Sequence, residues 1–228
     1  MTPARRGSHS SQLLHLLDVL ESRYHNEADP TLAERLRHDE PLDGLILTLL
    51  SQHTNDRNRD AAFARLKERY PIWEDAANAA PAAVEDAVRP AGLAPTKSGR
   101  ILEILAIVRS DFGAYSLSSL RRRERDDAKS YLMSLPGVGE KTASCVLLFD
   151  LGMPAFPVDT HIARVCRRIG VEASTPEEIC ATLERDVPQI RYLGGHVNII
   201  QHGRTICRAR SPLCDECPAA SLCQNKTP

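Results

Sequence analysis

Apolar residues along this chain recur at intervals of three and four, the spacing that places them on one side of an α-helix. The segment 12–23 carries five leucines in this register. The same period predicts further short helices at residues 42–51, 57–69, 72–79, 82–88, 97–112, 126–134, 140–151, 160–169, 176–186 and 196–205. No stretch alternates apolar and polar residues for long enough to predict a β-strand, so we expect an all-α fold.

Composition narrows the class of protein. The chain has 228 residues, of which 42% are hydrophobic and 26% charged, and such values are typical of a globular protein with one large or two small domains. A net charge of −1 gives no support for a nucleic-acid partner, so any DNA surface must be a local patch. The apolar runs are too short to cross a membrane, and the N-terminus lacks the apolar stretch of a secretory signal. We therefore expect a cytoplasmic protein without membrane contact.

Four of the seven cysteines lie close together near the C-terminus. They are Cys207, Cys214, Cys217 and Cys223, with six, two and five residues between successive members. Two zinc knuckles would normally give two Cys-x2-Cys pairs, whereas one pair with a single cysteine on each side suits a four-thiolate [4Fe-4S] cluster. The spacing favours the iron–sulfur cluster, with zinc as the alternative. The other three cysteines fall in apolar helical segments and are interpreted as buried apolar residues.

Basic residues surround the first of these cysteines. Arg208 and Arg210 lie between the first two cysteines, and Arg204 precedes them. Ligation would fix this loop, which makes the three arginines candidates for contact with DNA phosphates. A second basic run at residues 121–125 has two interpretations, a solvated helix entry or a surface beside DNA.

A glycine-rich turn separates two of the predicted helices. Gly137, Val138 and Gly139 follow a Leu-Pro pair; the glycines can take positive φ, and the valine can pack beneath the turn. The next helix begins with exposed amide N–H groups, an anion site that suits a DNA phosphate, and Thr142 lies at its start. The pattern is that of a helix-hairpin-helix DNA-binding element, although an ordinary αα-corner is the alternative.

Three motifs occur in the order in which one DNA-repair family carries them. Residues 135–143 read Leu-Pro-Gly-Val-Gly-Glu-Lys-Thr-Ala, residues 158–162 read Val-Asp-Thr-His-Ile, and the four cysteines follow. Over roughly residues 30–224 the chain resembles the endonuclease III family of helix-hairpin-helix DNA glycosylases. The resemblance implies that Lys141 is the catalytic lysine and Asp159 the catalytic aspartate. Considered singly, the first would be a solvated lysine and the second a helix N-cap.

The same resemblance implies contacts with DNA at three further residues. Gln52 lies in a segment similar to the family's Ser-Gln-x-Thr stretch, whose glutamine enters the gap left by a flipped nucleotide; a polar helix cap is the alternative. Leu93 matches a leucine that wedges into the base stack, and a core leucine is the alternative. His161 would support the catalytic aspartate or contact a phosphate. Met133, Ala94 and Gly195 depart from family residues near the expected pocket, and we expect them to affect the substrate range.

The fold implied by the resemblance has two lobes. Residues 40–153 would form a six-helix barrel with the hairpin, and residues 1–39 with 154–228 would form the iron–sulfur lobe. The implied activity is that of a monomeric, bifunctional DNA glycosylase and abasic-site lyase in base excision repair. It would remove oxidised pyrimidines from duplex DNA with a damaged base and cut 3′ of the abasic site by β-elimination. In a bacterial cell it would associate with the nucleoid.

Three other functions fit parts of the pattern. A monofunctional glycosylase for mismatched or alkylated bases is the first, but family members that excise adenine or mismatched thymine usually carry serine or tyrosine in place of the lysine. A non-catalytic helix-hairpin-helix module is the second, and the presence of both Lys141 and Asp159 weighs against it. An iron–sulfur electron carrier is the third, although its single ligand set follows a DNA-binding motif.

Overall fold

The computed structural model describes residues 6–225, with side chains from Ser10 onward. Twelve α-helices and no β-strand occur among these residues, so the predicted all-α fold is confirmed. The helices are α1 Arg6–Tyr24, α2 Leu32–Leu36, α3 Pro41–Leu50, α4 Asp56–Arg69, α5 Trp73–Ala77, α6 Pro81–Val88, α7 Ala94–Phe112, α8 Arg125–Ser134, α9 Glu140–Cys145, α10 Thr160–Arg168, α11 Pro176–Asp186 and α12 Tyr192–Thr205. None of these described helices is long and apolar enough to cross a membrane.

Helix starts follow from capping residues that the sequence supplies. At α3, Glu40 accepts a hydrogen bond from the backbone N–H of Leu42 at 3.0 Å, and a proline occupies the first turn. Thr175 and Glu178 form a reciprocal capping box at the start of α11. These side chains bond N–H groups that lack a partner within the helix, and proline fits there because it has no N–H to satisfy. Local chemistry therefore fixes both starts.

Several helices differ from the sequence pattern, since α1 starts at Arg6 instead of residue 12 and α7 at Ala94 instead of residue 97. Two other differences, at α2 and α12, have a physical reason in the chain. The five-residue α2 was not predicted, because one buried apolar residue is too little to show a period. The start of α12 lies four residues before the predicted one, since Gly194 and Gly195 weaken the helical signal. Backbone of Glu27 occupies the space that a side chain at Gly194 would need, and Leu17 of α1 lies against Gly195. Close packing therefore explains these glycines, and Gly195 serves helix contact in this part of the fold.

The chain divides into two compact units. One comprises Met1–Leu36 with Pro154–Pro228, and the other Arg37–Met153. In the first, α1 packs on α11 and α12, and α10 packs on the same two helices. Four leucines of α1 form the centre of its core and are fully buried: Leu13, Leu16, Leu17 and Leu20. The assignment of residues 40–153 as a barrel lobe and the remainder as a cluster lobe stays a prediction.

The unit Arg37–Met153 is built around α3, which contacts α4, α7 and α9. An ion pair joins residues near the two ends of this unit, with Nδ1 of the half-buried His38 2.7 Å from Oδ1 of the buried Asp150. Arg121 donates to the backbone carbonyls of both residues. Arg121, the first arginine of the basic run 121–125, therefore stabilises this junction, a role that neither interpretation of the run included. Asp150 also lies against Gly44 of α3, where a side chain would collide with the carboxylate.

Candidate functional site

The glycine hairpin connects α8 to α9. Gly137 has φ of 76°, and Val138 is buried beneath the turn and donates its backbone N–H to Leu135 at 3.2 Å. Gly139 has φ of −102° and caps α9 in extended conformation, with no atom close to where a Cβ would lie. Only Gly137 therefore uses the left-handed region that was expected for both glycines, because an N-cap residue adopts extended backbone.

The predicted catalytic lysine directly follows this hairpin. Lys141 is the second residue of α9 and is half-buried, while Thr142 beside it is buried. A π-helical segment, Val146–Leu151, continues the helix and packs its first residues into the core. The start of α9 is thus held by a buried helix, so the backbone of Lys141 is fixed while its side chain retains access to solvent.

Gln52 is joined to the hairpin by its side chain. Its amide Nε2 donates to the carbonyl of Gly137 at 3.0 Å and lies 3.5 Å from Thr142 Oγ1. Arg100 of α7 donates to Gln52 Oε1 at 3.4 Å, and its side chain fills the space beside Gly137. Ser51, not Gln52, caps α3. The alternative of a polar helix cap is therefore wrong, and the fold brings Gln52, Gly137 and Thr142 together.

Leu93 projects from the loop before α7. It is 58% exposed, so the alternative of a core leucine is wrong. Its backbone is left-handed at φ 49° and ψ 36°, a conformation that costs free energy for a residue with a side chain, and Gly92 before it also has positive φ. An exposed apolar side chain on a strained loop is typical of a residue that contacts a partner.

Asp159 caps α10 in the other unit. Its Oδ1 accepts hydrogen bonds from the backbone N–H groups of His161 and Ile162, both at 2.8 Å. Both bonds use the same oxygen, so Oδ2 takes part in neither. The N-cap role is therefore real, and it leaves one carboxylate oxygen for further contacts.

His161 takes part in a network around Arg164. The guanidinium Nη2 lies 3.0 Å from His161 Nδ1 and donates to the carbonyl of Gly203 at 2.7 Å, while Nε donates to the carbonyl of Cys207 at 2.9 Å. Arg164 therefore ties α10 to the end of α12 and to the first of the clustered cysteines. Arg164 was not predicted as a site residue, because its acceptors are backbone carbonyls about forty residues away along the chain.

The four clustered cysteines line one cavity of about 560 Å³. Burial raises the pKa of the Cys217 thiol, a backbone hydrogen bond from Ala219 lowers it, and the charges of the other three cysteines raise it. Among the described residues, no three His, Cys, Asp or Glu side chains form a group that could hold a metal ion. A four-iron cluster distributes its four thiolates over different irons, and four cysteines along one cavity are the donor set that it would need.

Two side chains approach the cysteine sulfurs. Arg168 donates to Cys207 Sγ at 3.2 Å, and His202 Nε2 lies 3.6 Å from Cys217 Sγ. Burial lowers the pKa of His202 to about 4. Arg168 also donates to the carbonyl of Arg208 at 2.9 Å and thereby holds the basic loop in place. The side chains of Arg204, Arg208 and Arg210 are exposed, as phosphate contact requires.

The dispersed cysteines are buried, as predicted. Cys145, Cys166 and Cys180 all lie in the core. Burial raises the pKa of the Cys166 thiol to about 12, so it carries no thiolate at neutral pH. These three cysteines are structural, in contrast to the four that share the cavity.

Comparison with known proteins defines the class. The model of the HhH-GPD superfamily base excision DNA repair proteins matches residues 46–189. Endonuclease III of Thermotoga maritima is 36% identical over 191 residues, which cover 82% of this chain and 84% of the relative. A non-covalent endonuclease III–DNA complex has a TM-score of 0.80 at 30% identity, covering 94% of this chain and 95% of the other. A trapped endonuclease III–DNA covalent intermediate has the same TM-score at 29% identity and covers 94% and 95%.

Fold and similarity together define a DNA-binding helix-hairpin-helix repair protein. The chain belongs to the HhH-GPD superfamily of base excision DNA repair proteins. It is thus a DNA N-glycosylase, and the resemblance to endonuclease III is confirmed.

Proposed function

We propose that this glycosylase is bifunctional, releasing oxidised pyrimidines from duplex DNA and cutting the strand 3′ of the abasic site. The observation that carries the proposal is Lys141, fixed in the first turn after the hairpin with its side chain accessible. A primary amine at this position supplies a nucleophile that serine or tyrosine would not supply. The covalent intermediate trapped for a relative supports the same chemistry.

In the proposed reaction, Lys141 acts as the nucleophile and Asp159 stabilises charge on the sugar. The damaged nucleotide is flipped out of the duplex. The neutral amine of Lys141 forms a bond to C1′ while the bond from C1′ to the base breaks, and the base leaves with the electron pair and takes up a proton. The ionised carboxylate of Asp159 stabilises positive charge that develops on the sugar.

Strand cleavage follows from the covalent intermediate. The bond between C1′ and the ring oxygen of the sugar then breaks, which turns the adduct into a Schiff base. The Schiff base acidifies the hydrogen at C2′. A base removes that proton, the new double bond forms, and the C3′–O bond breaks with the phosphate leaving. Water then hydrolyses the Schiff base and returns Lys141. A monofunctional glycosylase would stop after base release.

We propose that Cys207, Cys214, Cys217 and Cys223 hold a [4Fe-4S] cluster. Their shared cavity and the donor set of four thiolates support this cofactor. The cluster would supply four bonds that hold the C-terminal segment together. The basic loop between the first two ligands would then present Arg208 and Arg210 to DNA phosphates, with Arg204 beside it.

Borohydride trapping tests the bifunctional reaction. Duplexes with thymine glycol or an abasic site are incubated with the wild type, with Lys141→Ala and with Lys67→Ala as a control from the same unit. We expect a covalent adduct with both duplexes for the wild type and the control, and none for Lys141→Ala. An adduct on the abasic duplex alone would keep the lyase and reject the oxidised pyrimidine. Base release without any adduct would establish the monofunctional alternative.

A further inference from the structure

Lys97 is a charged residue in the core of the unit Arg37–Met153. It is 1% exposed and lies on α7 in the apolar register that continues through Ile101, Ile104 and Leu105. Desolvation lowers its pKa. Burial of an ammonium group costs free energy unless strong acceptors replace water. The proposed reaction gives this lysine no role, so its position needs another explanation.

The acceptors of Lys97 are two backbone carbonyls from different segments. Its Nζ donates to the carbonyl of Leu50 and to that of Ala91, each at 2.8 Å. Leu50 ends α3, and its carbonyl is one of the four that a helix leaves without an internal partner. The partial negative charge of that helix end favours a cation there. Ala91 ends the 3-10 turn Arg89–Ala91.

Each of these carbonyls stands two residues before a predicted DNA contact. Gln52 lies two residues after Leu50, and Leu93 lies two residues after Ala91. The backbone N–H of Lys97 also donates to the carbonyl of Leu93 at 3.0 Å. One residue therefore bonds both segments and holds the strained loop from two sides. A left-handed leucine persists only where its surroundings determine it, and these bonds supply that constraint.

We infer that Lys97 is a positioning residue that fixes the segment of Gln52 relative to the loop of Leu93, so that both side chains enter the damaged duplex as a pair. The inference rests on the proposed function, in which these side chains fill the space of the flipped nucleotide. Rigid placement matters because an inserted side chain favours binding only when it fits the space of the flipped nucleotide. A segment that is mobile before binding must also be ordered, which costs entropy.

A purely structural lysine would behave differently. Loss of two buried hydrogen bonds would lower the free energy of unfolding of any variant, whatever the role of the residue. Binding to undamaged DNA would then fall together with binding to damaged DNA, in proportion to the folded fraction. Loss of positioning lowers only the preference for DNA with a vacated site.

The experiment compares two duplexes that differ at one nucleotide. One carries a tetrahydrofuran abasic analogue opposite 2-aminopurine, and the other is undamaged. Affinities for both and the 2-aminopurine fluorescence are measured for the wild type, Lys97→Met and Lys67→Met, at a temperature where circular dichroism shows each to be folded. Lys67→Met is the matched control, because Lys67 lies over the Trp73 ring and 3.3 Å from Asp43 Oδ1.

We expect the ratio of affinities for the tetrahydrofuran and the undamaged duplex to fall about tenfold in Lys97→Met, which is the size of coupling seen between side chains that share contacts. Most of the 2-aminopurine fluorescence change should be lost as well. Lys67→Met should keep both. An unchanged preference in folded Lys97→Met, or equal loss of affinity for both duplexes, would overturn the inference.

A second measurement covers the case in which Lys97→Met does not fold. The variants Gln52→Ala, Leu93→Ala and their combination are compared in the same assay. Side chains that enter as a pair lose preference non-additively, whereas independent losses that multiply within about twofold would overturn the inference. The tetrahydrofuran site undergoes no elimination, so a wild type without borohydride adducts would reject the lyase and leave this result intact. A wild type without preference for that duplex would overturn the inference itself.

Discussion

The side-chain amide of Gln52 donates a hydrogen bond to the backbone carbonyl of Gly137 at 3.0 Å. Gln52, which is expected to enter the gap in the duplex, is thereby joined to the glycine hairpin, which is expected to contact the phosphate backbone. Arg100 completes the contact, because it bonds Gln52 and lies against Gly137. Changes at the hairpin should therefore reach Gln52 as well as the phosphate contact.

Gly137→Ala should weaken DNA binding and stability together. Alanine at φ of 76° costs about 1–2 kcal/mol, and its Cβ would collide with the Arg100 side chain that orients Gln52. Gly139→Ala is the matched control, because its backbone is extended and the space beside it is open. Chemical denaturation and duplex affinity check both variants. Equal effects of the two substitutions would contradict the distinct roles of the two glycines.

Asp159 permits separation of capping from charge. Asp159→Asn keeps an oxygen that accepts from the backbone N–H groups of His161 and Ile162, so the free energy of unfolding should change by less than about 0.5 kcal/mol. Base release should nevertheless fall by about a hundredfold or more, because the neutral amide cannot stabilise charge on the sugar. Single-turnover kinetics and urea denaturation supply the two numbers.

The control for this prediction is Asp159→Ala, which removes the cap and the charge. It should lose about 1 kcal/mol of stability in addition to activity. Full activity in Asp159→Asn would reject the catalytic role and leave Asp159 as an N-cap only.

The ion pair between His38 and Asp150 makes stability depend on pH. The hydrogen bond to Asp150 raises the pKa of His38 above its ordinary 6.5; burial opposes this, the charges of Asp150 and Asp43 support it, and Arg59 opposes it. A raised folded-state pKa means that the contribution is complete below about pH 6.5 and is lost as pH rises through the folded value. His38→Gln should therefore lose less stability than the wild type as pH rises from 6.5 through the raised folded-state pKa of His38.

Urea denaturation across that pH range checks this prediction. His15→Gln is the control, because it changes a histidine outside this unit. The same pH slope in the wild type and in His38→Gln would show that the pair does not titrate with folding.

Much of the fold follows from short-range pattern. The leucine period predicted α1, and its four central leucines are fully buried. The glycine hairpin and the cysteine group were also evident, since their residues are neighbours in sequence. In contrast, Gly195 was read as a pocket position, although its small size serves the contact of α12 with Leu17. A single sequence does not reveal which distant element packs against a glycine.

Lys97 illustrates what local pattern misses. Its place in the apolar register of α7 was the available signal, since a lysine among core positions must find buried acceptors. Those acceptors are backbone carbonyls, which every residue carries, and that of Leu50 is 47 positions away along the chain. Sequence therefore indicates that such a lysine is unusual, but only the folded chain identifies the segments that it joins.

The cysteine cavity leads to a prediction about iron and stability. Wild-type protein isolated under anaerobic conditions should contain about four irons per chain, and Cys214→Ala should lose most of them. Because ligation holds the C-terminal segment, loss of iron should also lower the melting temperature. Cys166→Ala is the control, since this buried thiol has a pKa raised to about 12 and lies outside the cavity lining. Iron assay, visible absorption and thermal unfolding give the readouts. If the wild type held one zinc per chain in place of iron, and Cys214→Ala lost that zinc, the site would bind zinc and the proposed cluster would be wrong.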